Sequence, residues 1–252
     1  MKNNTDPLVT IIMAAGMGKR MRSDLPKVLQ PLAGSPLVHY VIKLTQDLGS
    51  TQIVLVVGHG REQVIDQTKA YGVNWVVQEQ QLGTGDAIMA CHKTLHDYDG
   101  DVLILSGDVP LLRSKSVSEA LEVHKTTNAS ATVFTFNPDN PFGYGRIIRG
   151  GEGEVLRIVE HKDASNEEKL VNEVNGGIYV FRSKPLFEAL GQISSDNQAG
   201  EYYLPDTLEI IRKMGLRISA YIVKDPIEMA GVNNVDQLRE LEIYYLANRA
   251  DS

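Results

Sequence analysis

The chain has 252 residues, 42% of them hydrophobic and 23% charged, with 22 Gly and 10 Pro; this suits one large α/β unit or a core with a subdomain and excludes disorder, collagen-like repeats and low complexity. Lys and Arg number 25 against 32 Asp and Glu, a net charge of -7, so the surface as a whole is not built for nucleic acid and an anion site has to be local. The single cysteine, Cys91, excludes an intramolecular disulfide and a cysteine-based zinc site.

Short β-branched runs alternate with segments of helical spacing. Strands are predicted at residues 9–13, 53–57, 73–77 and 102–105, and helices at 37–48, 62–70, 84–95 and 117–124. Such alternation predicts a mostly parallel sheet flanked by helices, because parallel strands need crossover connections. The apolar runs fall far short of the roughly 20 residues that cross a bilayer. The N-terminal run ends in a glycine-rich turn and reads as a first strand rather than a signal peptide. A reducing, cytoplasmic location with no membrane partner is expected.

After a strand at 131–136 the rhythm changes to glycine-punctuated strands at 146–149, 154–159 and 177–181, which predict a β-rich insertion. Helices at 185–190 and 203–214, a strand at 217–223 and a last helix from Val235 to about Asn248 follow. Trp75, beside Val76 and Val77, is expected in the sheet core, and Cys91 on the buried stripe of its helix. His92 and His96 stand four apart, a metal-compatible spacing, but Lys93 occupies the place of a zincin glutamate; an exposed helix face is expected.

The segment GMGKRMRSDLPK (16–27) leaves the first strand, where open α/β sheets place their ligands. Lys19, Arg20, Arg22 and Lys27 against Asp24 give it a charge of +3. Glycines that let backbone N–H groups approach, together with basic side chains, suit a phosphate; the alternative is a solvated basic loop. A Walker A loop would need Gly at position 13 and Ser or Thr at 20, where Met13 and Arg20 stand, and a GxGxxG turn would need Gly in place of Met21. Asp108 follows an apolar strand, within reach of a hard cation bound to phosphates, or else serves as a cap or turn residue.

AAGMGKRM and SDLPK resemble the opening of the sugar-phosphate nucleotidyltransferases. The likeness continues in order through QEQQLGTG (78–85), LSGDVPLL (105–112), FGYGRI (142–147), VEHKDAS (159–165), VNGGIYVF (174–181), GEYYLPD (200–206) and AGVNN (230–234). Within that family the chain resembles the pyrophosphorylase part of the N-acetylglucosamine-1-phosphate uridylyltransferases. The resemblance implies a Rossmann-like single domain, residues 1–252, with a nucleotide-binding part to about 136, a sugar-binding part at about 137–230, and a metal loop and terminal helix beyond.

It also implies a reaction: UTP and N-acetylglucosamine 1-phosphate yield UDP-N-acetylglucosamine and pyrophosphate. Such chemistry needs no Ser, Cys or His nucleophile, because the attacking phosphate is already ionised. By resemblance Lys27 neutralises the sugar phosphate and Arg20 grips the triphosphate, with Met13, Ala14, Ala15 and Gly16 along the nucleotide. Gln78, offering an amide donor and an acceptor, reads uracil together with backbone near Ala14 and Gly83. Thr84, Gly145, Glu160 and Asn175 surround the sugar, and Asp108 and Asn233 hold Mg2+. His161 is expected to support the Glu160 loop. Lys19 departs from a common threonine, and Ser106 from a common aromatic.

Two alternatives stay open from the sequence: transfer to another sugar or polyol phosphate, and a non-catalytic nucleotide-sugar sensor. No hexapeptide repeat of a left-handed β-helix acetyltransferase is visible, so a monomer or dimer is expected rather than the β-helix trimer. In the last helix Leu238, Leu241, Tyr245, Ile243 and Leu246 give more apolar surface than one stripe needs, whether for internal packing or self-association.

Overall fold

The computed structural model describes residues 7–248, apart from the Lys19 side chain, which lies outside the described part. The chain runs β1 (Leu8–Ala14), a small hairpin of β2 (Pro31–Leu32) and β3 (Ser35–Pro36), α1 (Leu37–Asp47), β4 (Gln52–Val57), α2 (Arg61–Thr68) and β5 (Asn74–Val77). It continues through α3 (Thr84–Met89), α4 (His92–Leu95), β6 (Asp101–Ser106), α5 (Ser114–Thr126) and β7 (Ala131–Phe136). The remainder is β8 (Arg146–Arg149), β9 (Val155–Val159), β10 (Val174–Arg182), α6 (Ser183–Leu190), α7 (Asp206–Lys213), β11 (Ile218–Ile222) and α8 (Val235–Asn248).

β1 is apolar along almost its whole length because it is covered on both faces, as parallel strands are. It pairs in parallel with β4 on one side and β6 on the other. The main path is β11-β7-β10-β6-β1-β4-β5, with β8 joined to β10 and β9 to β8 beside it, so the strand order reverses at β1 and a crevice opens at its carboxyl end. On one face Ile12 and Ala14 of β1 share a buried cluster with Val38, Val41 and Ile42 of α1 and Val117 of α5. On the other, Val9 and Ile11 belong to a buried cluster that also holds Ile88 of α3, Leu186 of α6 and Leu208 of α7. A fully buried side chain of this kind contributes roughly 1.5–3 kcal/mol.

β10 is longer than the predicted 177–181 strand, and it lies antiparallel between β6 and β7, inside the main sheet. The sequence lost its start because the glycines at 176 and 177 belong to a register shift between Asn175 and Tyr179 rather than to a loop. The predicted 84–95 helix is broken after Met89, where the Cys91 N–H reaches back only to the Ile88 carbonyl as Cys91 enters the core. The 203–214 helix starts only at Asp206, since Pro205 disfavours helical geometry at Leu204. Trp75 is not in the core: β5 is an edge strand, and the ring is 37% exposed with its Nε1 donating to Thr68 Oγ1.

In α8, Leu241 is buried beside Met21, Leu32 and Leu37, with Leu238 and Tyr245 against the same cluster. Ile243 and Leu246 remain exposed. His92 and His96 are exposed as expected, and among the described residues no helix is long and apolar enough to cross a membrane.

Candidate active site

The crevice at the end of β1 is a cleft of about 310 Å³. Met13, Ala14, Ala15, Gly16, Lys27, Gln78, Gly83, Thr84, Ser106 and Asp108 all line it. The fold brings these together because β1, β4, β5 and β6 end side by side and the loops that follow them turn over one edge. A larger hollow of about 630 Å³ lies between Pro110–Arg113 and α8. Its one cation, Arg113, is held by Asp225 and Glu228, and the hollow lies away from the end of β1; the smaller cleft is the one at the point where the strand order reverses.

Four residues from three separate loops converge at the cleft mouth. The Lys27 ammonium donates to Asp108 Oδ2 at 2.5 Å and to Asn233 Oδ1 at 3.4 Å. Arg20 donates to the same Asn233 oxygen at 3.0 Å. Gly18 makes the approach of Lys27 feasible: it sits at φ +59, and a Cβ there would stand 2.7 Å from the Lys27 Cβ. Asn233 is brought to Asp108 by the Val232 N–H, which donates to the Asp108 carbonyl at 3.0 Å. Ser106 donates its hydroxyl to Asp108 Oδ1 at 2.5 Å, which gives the departure at this position a defined contact.

This donor set fits a hard cation. One carboxylate and one amide oxygen already share a positive group, the Lys27 ammonium, and magnesium takes few protein ligands, leaving its other positions to water and phosphate. Among the described residues no group of three His, Cys, Asp or Glu forms a denser metal cage.

Gln78 is expected to offer both an amide donor and an acceptor, and here the donor is taken: the residue is buried at 5% exposure, and its Nε2 donates to the Gly83 carbonyl at 3.0 Å and Asp86 Oδ2 at 2.7 Å. Both amide hydrogens are therefore engaged, and only its carbonyl oxygen is left for a base. Gly83 itself, at φ +113, lets the 82–85 turn meet the 202 backbone, where the Tyr202 N–H donates to the Leu82 carbonyl and the Gly85 N–H to the Tyr202 carbonyl. Thr84 Oγ1 accepts from the Leu204 N–H, so this hydroxyl ties the two loops together.

On the far side the structure also groups the expected sugar residues. The Asn175 N–H donates to the Gly145 carbonyl at 2.8 Å, and a Cβ on Gly145 would lie 3.1 Å from Glu160 Oε1. The Asn175 side chain is held by the Tyr179 hydroxyl and the Gly177 N–H. His161 packs edge-on against Phe142 and lies 3.4 Å from Arg146, which joins the Glu160 loop to the 142–146 turn. Burial, with Asp206, Asp163 and Glu201 close by, pushes the Glu160 carboxyl up to about 7. Asp206 is pushed up to about 6 by burial, Glu209 and Asp163. Burial, with Asp108 close by, raises the Tyr144 hydroxyl, and Glu201 lines the cleft, so this acidic side adjoins the mouth that holds Lys27 and Arg20.

Sequence reasoning missed Asp86, Glu201, Asp163 and Asp206. An aspartate in a first helical turn reads as a favourable charge at a helix start, and that gives no sign that Asp86 holds Gln78. The Glu160 shift yields a prediction. The folded chain keeps that proton up to about pH 7, the unfolded chain only to about 4.5, so between these values the folded state binds more protons and stability falls as pH rises. Glu160→Gln should therefore gain more thermal stability over wild type at about pH 8 than at about pH 5. Equal shifts in melting temperature at both pH values would show that Glu160 ionises normally.

The family described as "MobA-like NTP transferase domain" matches residues 10–205. The chain is 46% identical over 234 residues to the bifunctional protein GlmU of Geobacter metallireducens, covering 92% of this chain and 49% of that protein. It is 45% identical over 233 residues to the GlmU of Acetivibrio thermocellus, covering 92% and 50%. It thus spans about half the length of these curated relatives. A UDP-glucose pyrophosphorylase solved with UDP-glucose superposes with a TM-score of 0.76 at 18% identity, over 96% of this chain and 100% of the other, which shows the shared fold. The chain belongs to the MobA-like NTP transferase family and is a nucleotidyltransferase.

Proposed function

We propose that this chain transfers uridylyl from UTP to N-acetylglucosamine 1-phosphate, giving UDP-N-acetylglucosamine and pyrophosphate, in a cytoplasmic compartment. The observation that carries the reading is the meeting of Arg20, Lys27, Asp108 and Asn233 at the mouth of a cleft whose wall is Gln78, Gly83 and residues 13–16. The likeness to GlmU proteins and the ordered motifs support uracil and the acetamido sugar over other pairs.

An ionised oxygen of the sugar phosphate attacks the α-phosphorus of UTP as the bond to the bridging oxygen breaks and pyrophosphate leaves. No proton has to move, so the protein acts by holding two anions in line and by offsetting their charge. Lys27 bears on the sugar phosphate and Arg20 on the triphosphate, while Met13, Ala14, Ala15 and Gly16 supply backbone along the nucleotide. Asp108 and Asn233 would hold Mg2+, which supplies further charge neutralisation on the phosphates. Thr84, Gly145, Glu160 and Asn175, together with Asn233, face the sugar in this reading, and Gln78 and Gly83 the nucleoside. The nucleotide part then runs to about residue 136, the sugar part over about 137–230, and the metal loop follows.

Pyrophosphate release measured over a grid of nucleoside triphosphates and sugar phosphates tests the reading. The highest kcat/KM is expected for UTP with N-acetylglucosamine 1-phosphate, and a higher value for another sugar or for a polyol phosphate would replace it. Gln78→Glu should lower kcat/KM for UTP by about tenfold or more, because the new carboxylate would face Asp86 and the Gly83 carbonyl with no proton to give. Full UTP use by that variant would move base reading elsewhere.

A further inference from the structure

The Gln78 carboxamide is fixed in one orientation. Turned over, it would set Oε1 against both the Gly83 carbonyl and the Asp86 carboxylate, replacing two hydrogen bonds by two contacts between acceptors. Asp86 makes the lock one-sided, because an ionised carboxylate only accepts and can never support the turned-over amide. Among the described residues none donates to Gln78 Oε1, although the residue forms part of the cleft wall. Beside it Gly83 and Thr84 line the same wall, and among the described residues their N–H groups meet no backbone acceptor. The wall thus offers a lone acceptor next to backbone donors.

We propose that Asp86 is a positioning residue that sets base choice: by pinning Gln78 it leaves a single acceptor to meet a ring N–H. Uracil supplies one at N3, flanked by carbonyl oxygens that suit the donors. Cytosine presents an acceptor at N3 and an amino group where a carbonyl should be, and is repelled at both. The proposal rests on reading the cleft as a site of uridylyl transfer.

The test compares kcat/KM for UTP and for CTP in wild type, Asp86→Asn and Asp86→Ala, with melting temperatures in parallel. The UTP-to-CTP ratio should fall about tenfold in Asp86→Ala and less in Asp86→Asn, which keeps an acceptor of the same shape. The loss should appear in KM for UTP, with kcat within about twofold of wild type. In the free protein, side-chain amide NMR should show two slowly exchanging Gln78 protons, one of which becomes fast in Asp86→Ala. A folded Asp86→Ala that keeps the wild-type ratio would overturn the proposal. If Asp86→Ala fails to fold, the near-isosteric Asp86→Asn decides it: a ratio equal to wild type with unchanged Gln78 exchange counts against it. Equal use of UTP and CTP by wild type would instead sink the uridylyl reading, and the NMR comparison would still decide whether Asp86 pins Gln78.

Discussion

Asp108→Asn should lower turnover by about 10²-fold or more at saturating magnesium, the scale of losing a transition-state electrostatic contact. The substitution preserves shape, and the Ser106 hydroxyl can still donate to an amide oxygen at position 108. What goes is the negative charge that faces the Lys27 ammonium at 2.5 Å and that would hold the metal beside Asn233. Asp108 is buried to 7% exposure, so bulk water offers little substitute for that charge. Steady-state pyrophosphate release, with the magnesium concentration varied, measures the effect. Normal turnover in Asp108→Asn would remove Asp108 from the metal site.

The reach of the sequence follows from what each feature depends on. Strands β1, β4 and β6 were legible because burial on both faces writes a continuous apolar run into the chain. The position of β10 between β6 and β7 was not, since its neighbours are chosen by long-range pairing that leaves no local period. Lys27, Asp108 and Asn233 could be named because each sits in its own motif, but separations of 81 and 206 residues carry no information on which atoms meet. The same limit applies to Glu160. Its raised pKa comes from burial and from Asp206, Asp163 and Glu201, two of which arrive from the 200–206 segment.

Lys27→Ala should reduce kcat/KM for the sugar phosphate by about 10²-fold, because charge-assisted contacts tighten as the two sets of phosphates approach. Melting temperature alone could not separate this from a packing defect, so the second measurement is metal affinity in the free enzyme. The ammonium stands against the two oxygens assigned to the cation. Removing it relieves a like charge a few ångströms away, and the affinity for Mg2+ should rise even as turnover falls. A local collapse of the site would lower both. The double variant adds a third constraint: Lys27 and Asp108 are in direct contact, so their losses should be non-additive, with the pair costing less than the two single effects combined. A Lys27→Ala enzyme whose only defect was affinity for UTP would exchange its role with that of Arg20, and fully additive losses with weaker metal binding would place Lys27 outside the phosphate site.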